Sequence, residues 1–264
     1  MIKKRRAAGK NSAADVKRAL VFFDPHHPYS DKKAYDLMLK VAADVGVDEV
    51  VVGGDFSDFY NVTSHDKDSR IKVDFEEELS ICNDELDRLE KLFPKAKWVF
   101  IEGNHETRLS RYLNKKAPEI SGLMGISKLF RFKERGWHFV PYAPGQKYSV
   151  LGSKLWARHE PLGGGTEHPA SGTVHKAGAS VIFGHVHRIQ EHQDVTLGGS
   201  NHRAFTCGWL GDQDALVMQY VKSHHQWALG FCIVTALPDG KFFAQTVHII
   251  DYTCMYGGKI YSVK

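Results

Sequence analysis

The chain has only four cysteines in 264 residues, Cys82, Cys207, Cys232 and Cys254, and no two of them form a CxxC pair. That excludes zinc held by paired cysteines and a disulfide scaffold, and it favours a thiol-reducing cytoplasm. No apolar run approaches the length of a membrane span, so no membrane partner is expected. The charged stretch Lys3, Lys4, Arg5 and Arg6 is not followed by an apolar segment and cleavage site, which argues against a secretory signal. Internal repeats, low-complexity tracts and a convincing linker are missing too. The simplest organisation is a basic, flexible leader over residues 1–17 followed by a single domain over 18–264.

Charge of one sign is also scarce. The formal net charge is +4, and much of that excess sits in the leader, so a polyanionic substrate is permitted but not demanded. With 42% hydrophobic and 25% charged residues the composition is that of an ordinary globular protein, and the length allows one substantial core. What stands out is histidine, 15 of them, which directs attention to metal ligands.

Periodicity organises the first half. Arg18 to Phe23 is a short apolar run of strand length that breaks at Asp24-Pro25. From Asp31, residues Ala34, Leu37, Met38, Val41, Ala42 and Val45 fall on one helical face that Gly46 closes. Asp48 to Val52 is a second strand ending in Gly53-Gly54-Asp55, completing a βαβ unit. Residues 56–70 read as a polar, aromatic loop. An amphipathic helix then runs from Phe75 to Leu92, stopped by Pro94, and the strand Lys97 to Ile101 leads into Glu102-Gly103-Asn104-His105. Short strands are expected near 137–142, 147–151 and 153–158, a helix near 169–177, and a strand at 179–183 ending in Gly184-His185-Val186-His187. The remainder is β-rich, with a hairpin around Asp239-Gly240.

These apolar strands share a habit: each ends in Asp, Asn or His, where side chains in α/β folds converge on a ligand crevice. The converging residues are Asp24, His26, Asp55, Asn104, His105, His185 and His187, and the strand SKLWAR adds His159. His168 and His175, further along, compete with His159 for the same role. Taken singly, Asp24 before Pro25 and Asp55 after two glycines can be turn chemistry, and Asn104 a helix cap. Taken together, carboxylate, amide and imidazole donors suit borderline divalent metals.

DPH at 24–26, GDFSD at 54–58, GNHE at 103–106, a later His and GHVH at 184–187 resemble, in this order, the DxH, GDxxD, GNH(D/E), H, GHxH pattern of the calcineurin-like metallophosphoesterases. The resemblance implies a four-layer α/β/β/α sandwich of two mixed sheets flanked by helices. It implies two divalent metal ions, manganese foremost, with iron, zinc or nickel as alternatives. Asp24, His26 and His187 would hold one ion, Asn104, His159 and His185 the other, and Asp55 would bridge them. His105 would protonate the leaving alkoxide, oriented by Asp58. The activity implied is hydrolysis of a phosphate ester by a metal-bound hydroxide.

Substrate class is less legible. The GNHE form, with Glu106, is shared with phosphoprotein phosphatases, but the Arg-Gly that follows the second Asp in those enzymes is replaced by Phe59-Tyr60. The aromatic loop of Phe56, Phe59 and Tyr60 suggests stacking surfaces for a nucleobase. The expectation therefore leans to phosphodiesters of nucleotides or nucleic acid, a nuclease-like activity, over a phosphomonoesterase or phosphoprotein phosphatase. Non-catalytic scaffolds of this fold exist, but here the ligand set is complete. Candidate substrate contacts are Arg108, His27, Phe59 and Tyr60, with His65 reaching in from the loop. His224, His225 and the late tryptophans are assigned to surface or β packing, and the oligomeric state is left open.

Overall fold

Period-two alternation sorts the strands' side chains into two separate cores. In β1 (Lys17–Phe22), Leu20 and Phe22 join one cluster, while Ala19 and Val21 join another together with Phe23. The split repeats in β2 (Glu49–Val52), where Val50 and Val52 face away from Val51. In β3 (Lys97–Ile101), Phe100 likewise faces away from Val99 and Ile101. A sheet buried on both faces needs a partner layer on each. The computed structural model, which describes residues 16–163, 165, 167–219 and 226–264, supplies both.

One partner layer is helical. In α1 (Lys32–Val45), the Asp31 carboxylate caps the start by accepting the Ala34 N–H at 3.0 Å, and Gly46 ends the helix at φ 69°. In α2 (Phe75–Leu92), Asp74 caps the Glu77 N–H at 2.8 Å, and Glu76, Glu77 and Glu78 fill the first turn, where negative charge is favoured. Leu37, Met38 and Val41 of α1 and Cys82, Leu86 and Leu89 of α2 pack on Leu20, Phe22, Val50 and Phe100. Leu109 and Leu113 of α3 (Thr107–Lys116) join them, as do Ile126 of α4 (Ile126–Leu129) and Phe132 of α5 (Phe132–Arg135).

The other partner layer is a second sheet. The first sheet has the order β11-β10-β1-β2-β3-β4, with β4 at His138–Val140, β10 at Gly230–Ala236 and β11 at Phe242–His248. Strands β1 to β4 are parallel, and β10 runs antiparallel to both β1 and β11. The second sheet has the order β5-β6-β7-β9-β8. Its strands are β5 (Tyr148–Ser149), β6 (Leu155–Arg158), β7 (Ser180–Phe183), β8 (Ile189–Val195) and β9 (Asn201–Cys207). Within it β6, β7 and β9 are parallel and the edges antiparallel. Leu155, Ala157, Ile182 and Phe205 meet Val21, Val51 and Val99 between the sheets. Val181 and Phe183 point the other way, onto Ala170 and Val174 of α6 (Pro169–Ala177). The result is four layers, α/β/β/α, with both sheets mixed.

A small hairpin, β12 (Thr253–Tyr256) and β13 (Lys259–Ser262), adds Cys254 and Tyr261 to the helical-side core. Most of the leader lies outside the described residues, as do His224 and His225, and Lys17 already pairs with Ala236 in the sheet. All four cysteines are buried free thiols. No helix among the described residues is long and apolar enough to cross a membrane.

Because β1, β2 and β3 are parallel, their C-terminal ends lie along one edge of the first sheet, and β6 and β7 share an edge of the second. The strand-end residues singled out in the sequence are thereby gathered from both sheets.

Candidate metal centre

The loops after β1 and β2 are zipped together by backbone. The N–H groups of Asp24, His26 and His27 donate to the carbonyls of Gly54, Asp55 and Phe56 at 3.1, 3.0 and 2.8 Å, and Asp58 N–H returns to His27 O at 3.0 Å. The loop after β3 is pressed against them so closely that a Cβ on Gly103 would stand 2.3 Å from the Asp55 nitrogen. Buried Glu106 fastens the loops after β2 and β3 together: its carboxylate accepts the N–H groups of Gly103 (2.7 Å), Asp55 (3.0 Å) and Ser57 (3.0 Å). The backbone is strained where it presents side chains. Asp24, His26, Asp55, His185 and His187 all have positive φ, between 49° and 69°, a conformation that costs non-glycine residues energy and clusters at functional sites.

The donors these loops present face one another. His26 Nε2 lies 3.3 Å from His187 Nε2, and Asn104 Oδ1 lies 2.9 Å from His159 Nε2 and 2.8 Å from His185 Nδ1. His159 Nε2 is also 3.3 Å from Asp55 Oδ1. The Nδ1 of His159 lies 3.0 Å from the Gly53 carbonyl; donating there leaves a lone pair on Nε2 aimed at two oxygens. Asp24 Oδ1 is buried with no hydrogen-bond partner, while its Oδ2 accepts the His185 N–H at 2.8 Å. Lone pairs in such company repel unless a proton or a metal ion lies between them. Ligands about 2.0–2.2 Å from a common ion stand about 2.8–3.6 Å apart in octahedral or tetrahedral arrangements, so these spacings fit metal coordination. Two donor groups result, Asp24, His26 and His187, all buried, and Asp55, His159 and His185, of which His185 is exposed; a further buried set, His26, Asp55 and His105, lies between them. Asn104 completes the second. His168, at the edge of α6, and His175, hydrogen-bonded to Ser171 O, stand outside both groups.

Electrostatics of the donors agree. Burial drives the Asp24 carboxyl up to about 8, only partly offset by His159. Burial lowers His159 in turn, but Asp55 and Asp24 overcome it and raise the ring to about 10. The Asp24 carboxyl and the His159 ring are both raised, so a metal ion binding there would displace protons from them.

Beside this cluster stands His105. Its N–H donates to Asp55 Oδ1 at 2.8 Å, and its Nδ1 lies 3.0 Å from Asp58 O and 3.2 Å from Asp58 Oδ2. Burial lowers its pKa, but the carboxylates of Asp55 and Asp58 overcome this and raise it. Asp58 does more than hold His105: Oδ2 is also 3.3 Å from His26 Nδ1, and Oδ1 accepts from Arg108 Nη1 at 3.1 Å. Arg108 Nη2 reaches His105 Nε2 at 2.9 Å, so this arginine belongs to the site.

Three expected substrate contacts are corrected. His27 is 2% exposed and packs edge-on against Tyr35 and Phe56, because its backbone pairs with the β2 loop and turns the ring into the core. Phe59 is fully buried, against Phe75 and Phe130, and its N–H donates to buried Glu78. Tyr60 is half-buried against the Trp209 cluster, and its hydroxyl accepts the Asp68 N–H. Phe56 is core as well. The aromatic loop is therefore packing, not a stacking wall. His65 stands on the rim of a groove that shares Asn104 and Arg108 with the site.

Two residues with real roles carry weak sequence signals. Glu106 is one. The other is Trp209, buried and stacked on His187 at 4.6 Å between centroids, with Trp227 edge-on at 4.3 Å; together they fix that ring's plane. An acidic residue inside GNHE and a tryptophan after an apolar strand were the only clues available.

A model of the calcineurin-like phosphoesterases matches residues 17–189. The Gene 54 protein of Mycobacterium phage L5 is 28% identical over 267 residues, covering 94% of this chain and 99% of the relative. The Gene 54 protein of Mycobacterium phage D29 is 29% identical over 239 residues, covering 83% and 89%. Among solved structures, Vacuolar Protein Sorting 29 from Cryptosporidium parvum superposes with a TM-score of 0.47 at 11% identity, covering 93% of this chain and 94% of the other. Yfce, a phosphoesterase from E. coli, gives a TM-score of 0.41 at 15% identity, covering 88% and 100%.

Proposed function

The chain belongs to the calcineurin-like phosphoesterase family, and from that membership we propose that it hydrolyses phosphate esters with two divalent metal ions. The observation that carries this reading is the convergence of six donor residues from both sheets at 2.8–3.3 Å spacings, joined by Asp24, whose buried carboxylate oxygen is left unpartnered. Asp24, His26 and His187 would hold one ion, and Asn104, His159 and His185 the other, with Asp55 shared. The nitrogen and oxygen donor set favours manganese, iron, zinc or nickel over calcium. When bound, two such cations neutralise the phosphate and supply nucleophilic water at neutral pH.

The remaining chemistry belongs to side chains. His105, proton-rich between two carboxylates and touching no backbone carbonyl through Nε2, is the group to protonate a leaving alkoxide. With Nδ1 donating to Asp58, Nε2 accepts from Arg108; a second proton on Nε2 requires the Arg108 Nη2 to turn away while Nη1 stays on Asp58. An anionic phosphate oxygen gives the guanidinium that alternative partner, so substrate binding and arming of the acid are coupled. Four buried free thiols suit the proposed cytoplasmic setting.

The test is hydrolysis of p-nitrophenyl phosphate and bis-p-nitrophenyl phosphate by protein loaded in turn with each of the four metals. Turnover that chelation abolishes and metal restores is expected. Metal-bound protein inert towards both esters would contradict the proposal.

A further inference from the structure

Next to the donor cluster, α3 and the loop after β2 wall a groove of about 330 Å³. Arg108, Arg111, Lys115 and Lys116 line it from α3, along with Tyr112 and His65, and no carboxylate does. The groove runs directly into the proposed centre, because Asn104 and Arg108 belong to both. Its near end is held in place: Arg111 Nη2 donates to Asn104 O at 2.9 Å and Thr107 Oγ1 at 2.8 Å, and Arg108 is fixed by Asp58. Its far end is open, with Lys115 and Lys116 exposed and the Tyr112 ring 43% exposed between the cations.

The basicity is local. The whole chain carries only +4, and the cavity on the Trp209 side is lined by Asp31, Asp212, Asp214 and Asp251. Steps of three and four residues put Arg108, Arg111 and Lys115 on one helical stripe, and at about 1.5 Å per residue it is about 10 Å long. A single phosphate at the metals cannot use that length; a polymer can. A row of cations with an exposed aromatic ring among them is the arrangement that tracks a phosphate backbone while offering a base a stacking face. Bases inside a duplex have no free face to offer.

We propose that this groove binds single-stranded nucleic acid, with the backbone running from the scissile phosphate at Asn104 and Arg108 along α3 to Lys115 and Lys116, and one base stacked on Tyr112. This rests on the phosphoester-hydrolase reading for its near end only. It replaces the buried Phe59 and half-buried Tyr60 as the basis for a preference for phosphodiesters.

The test uses the full chain, a fluorescein-labelled oligothymidylate, and the variants K115A/K116A and Y112A. Binding is read by anisotropy in chelator across a salt series, and cleavage in manganese beside bis-p-nitrophenyl phosphate. For the double variant, the slope of log affinity against log salt should fall in magnitude by about 1.4, two phosphate contacts at about 0.7 each. Y112A should weaken binding about fivefold or more with the slope kept. Turnover of the small diester should stay at the wild-type value in both. An unchanged slope, equal competition by duplex or by an acidic phosphopeptide, or parallel losses on the small diester would each overturn the groove's assignment. The two readings separate cleanly. Wild-type protein that binds the strand but hydrolyses no ester supports the groove and sinks the hydrolase, whereas ester hydrolysis without strand binding does the reverse.

Discussion

His105 touches Asp58 through Nδ1 and Arg108 through Nε2, and its own N–H is held by Asp55. A group held by three neighbours, near the donors but outside the seven residues proposed as ligands, can be removed without emptying them. His105→Ala should therefore retain its metal, while turnover falls about 10²–10⁴-fold. The loss should be smaller for a p-nitrophenolate leaving group, which needs no proton, than for an alkoxide. Metal content and the two rate ratios, measured on one preparation, check this; equal losses on both esters would show that His105 is no acid. At this scale the sequence is legible where a residue's chemistry is fixed by its place at a strand end, as with Asp24, Asp55 and His185. It misleads in the loops after β1 and β2. There Phe59 and His27 have no periodicity to betray which way they turn, and only the tertiary packing of Phe75, Phe130 and Tyr35 buries them.

Among elements, the site depends on loops that have no regular structure of their own and are held by Glu106 and Trp209. Glu106→Gln places an amide N–H₂ where a carboxylate oxygen accepts from Asp55, Ser57 or Gly103, setting donor against donor. It should cost about 1–3 kcal/mol in urea unfolding and weaken metal binding; unchanged values for both would remove Glu106 from the account. Trp209→Ala frees the His187 ring and should reduce affinity for the ion proposed at Asp24, His26 and His187 about 10–100-fold, as loss of a ligand's supporting contact does. Calorimetric titration of the metal-free protein distinguishes that from loss of both ions. The long elements follow from their patterns: α1 and α2 from helical spacing and capping, β1 to β3 from apolar runs bounded by Gly and Asp. The four-residue α4 and α5 are too short to show a period, and they owe their form to burial of Ile126 and Phe132 against the first sheet.

Over the whole molecule, the donors come from the ends of β1, β2 and β3 in one sheet and β6 and β7 in the other, so bound ions would tie the two sheets together. Four-layer architecture was legible only through the order of motifs from 24 to 187; the second sheet's order, β5-β6-β7-β9-β8, depends on non-local pairing that no local pattern encodes. Ions that bind the folded chain alone should stabilise it by about 2.7 kcal/mol at a free concentration 100 times the dissociation constant. Chelation should accordingly lower the thermal midpoint, and a midpoint indifferent to chelator would mean that the donors are held without metal. The proposed centre is two ions sharing Asp55, and elemental analysis of the purified chain beside Asp55→Asn probes it without relying on turnover. Two divalent ions per wild-type chain and loss of most metal from the variant are expected; a wild-type chain that takes up at most one ion, or a variant that keeps two, would contradict the account.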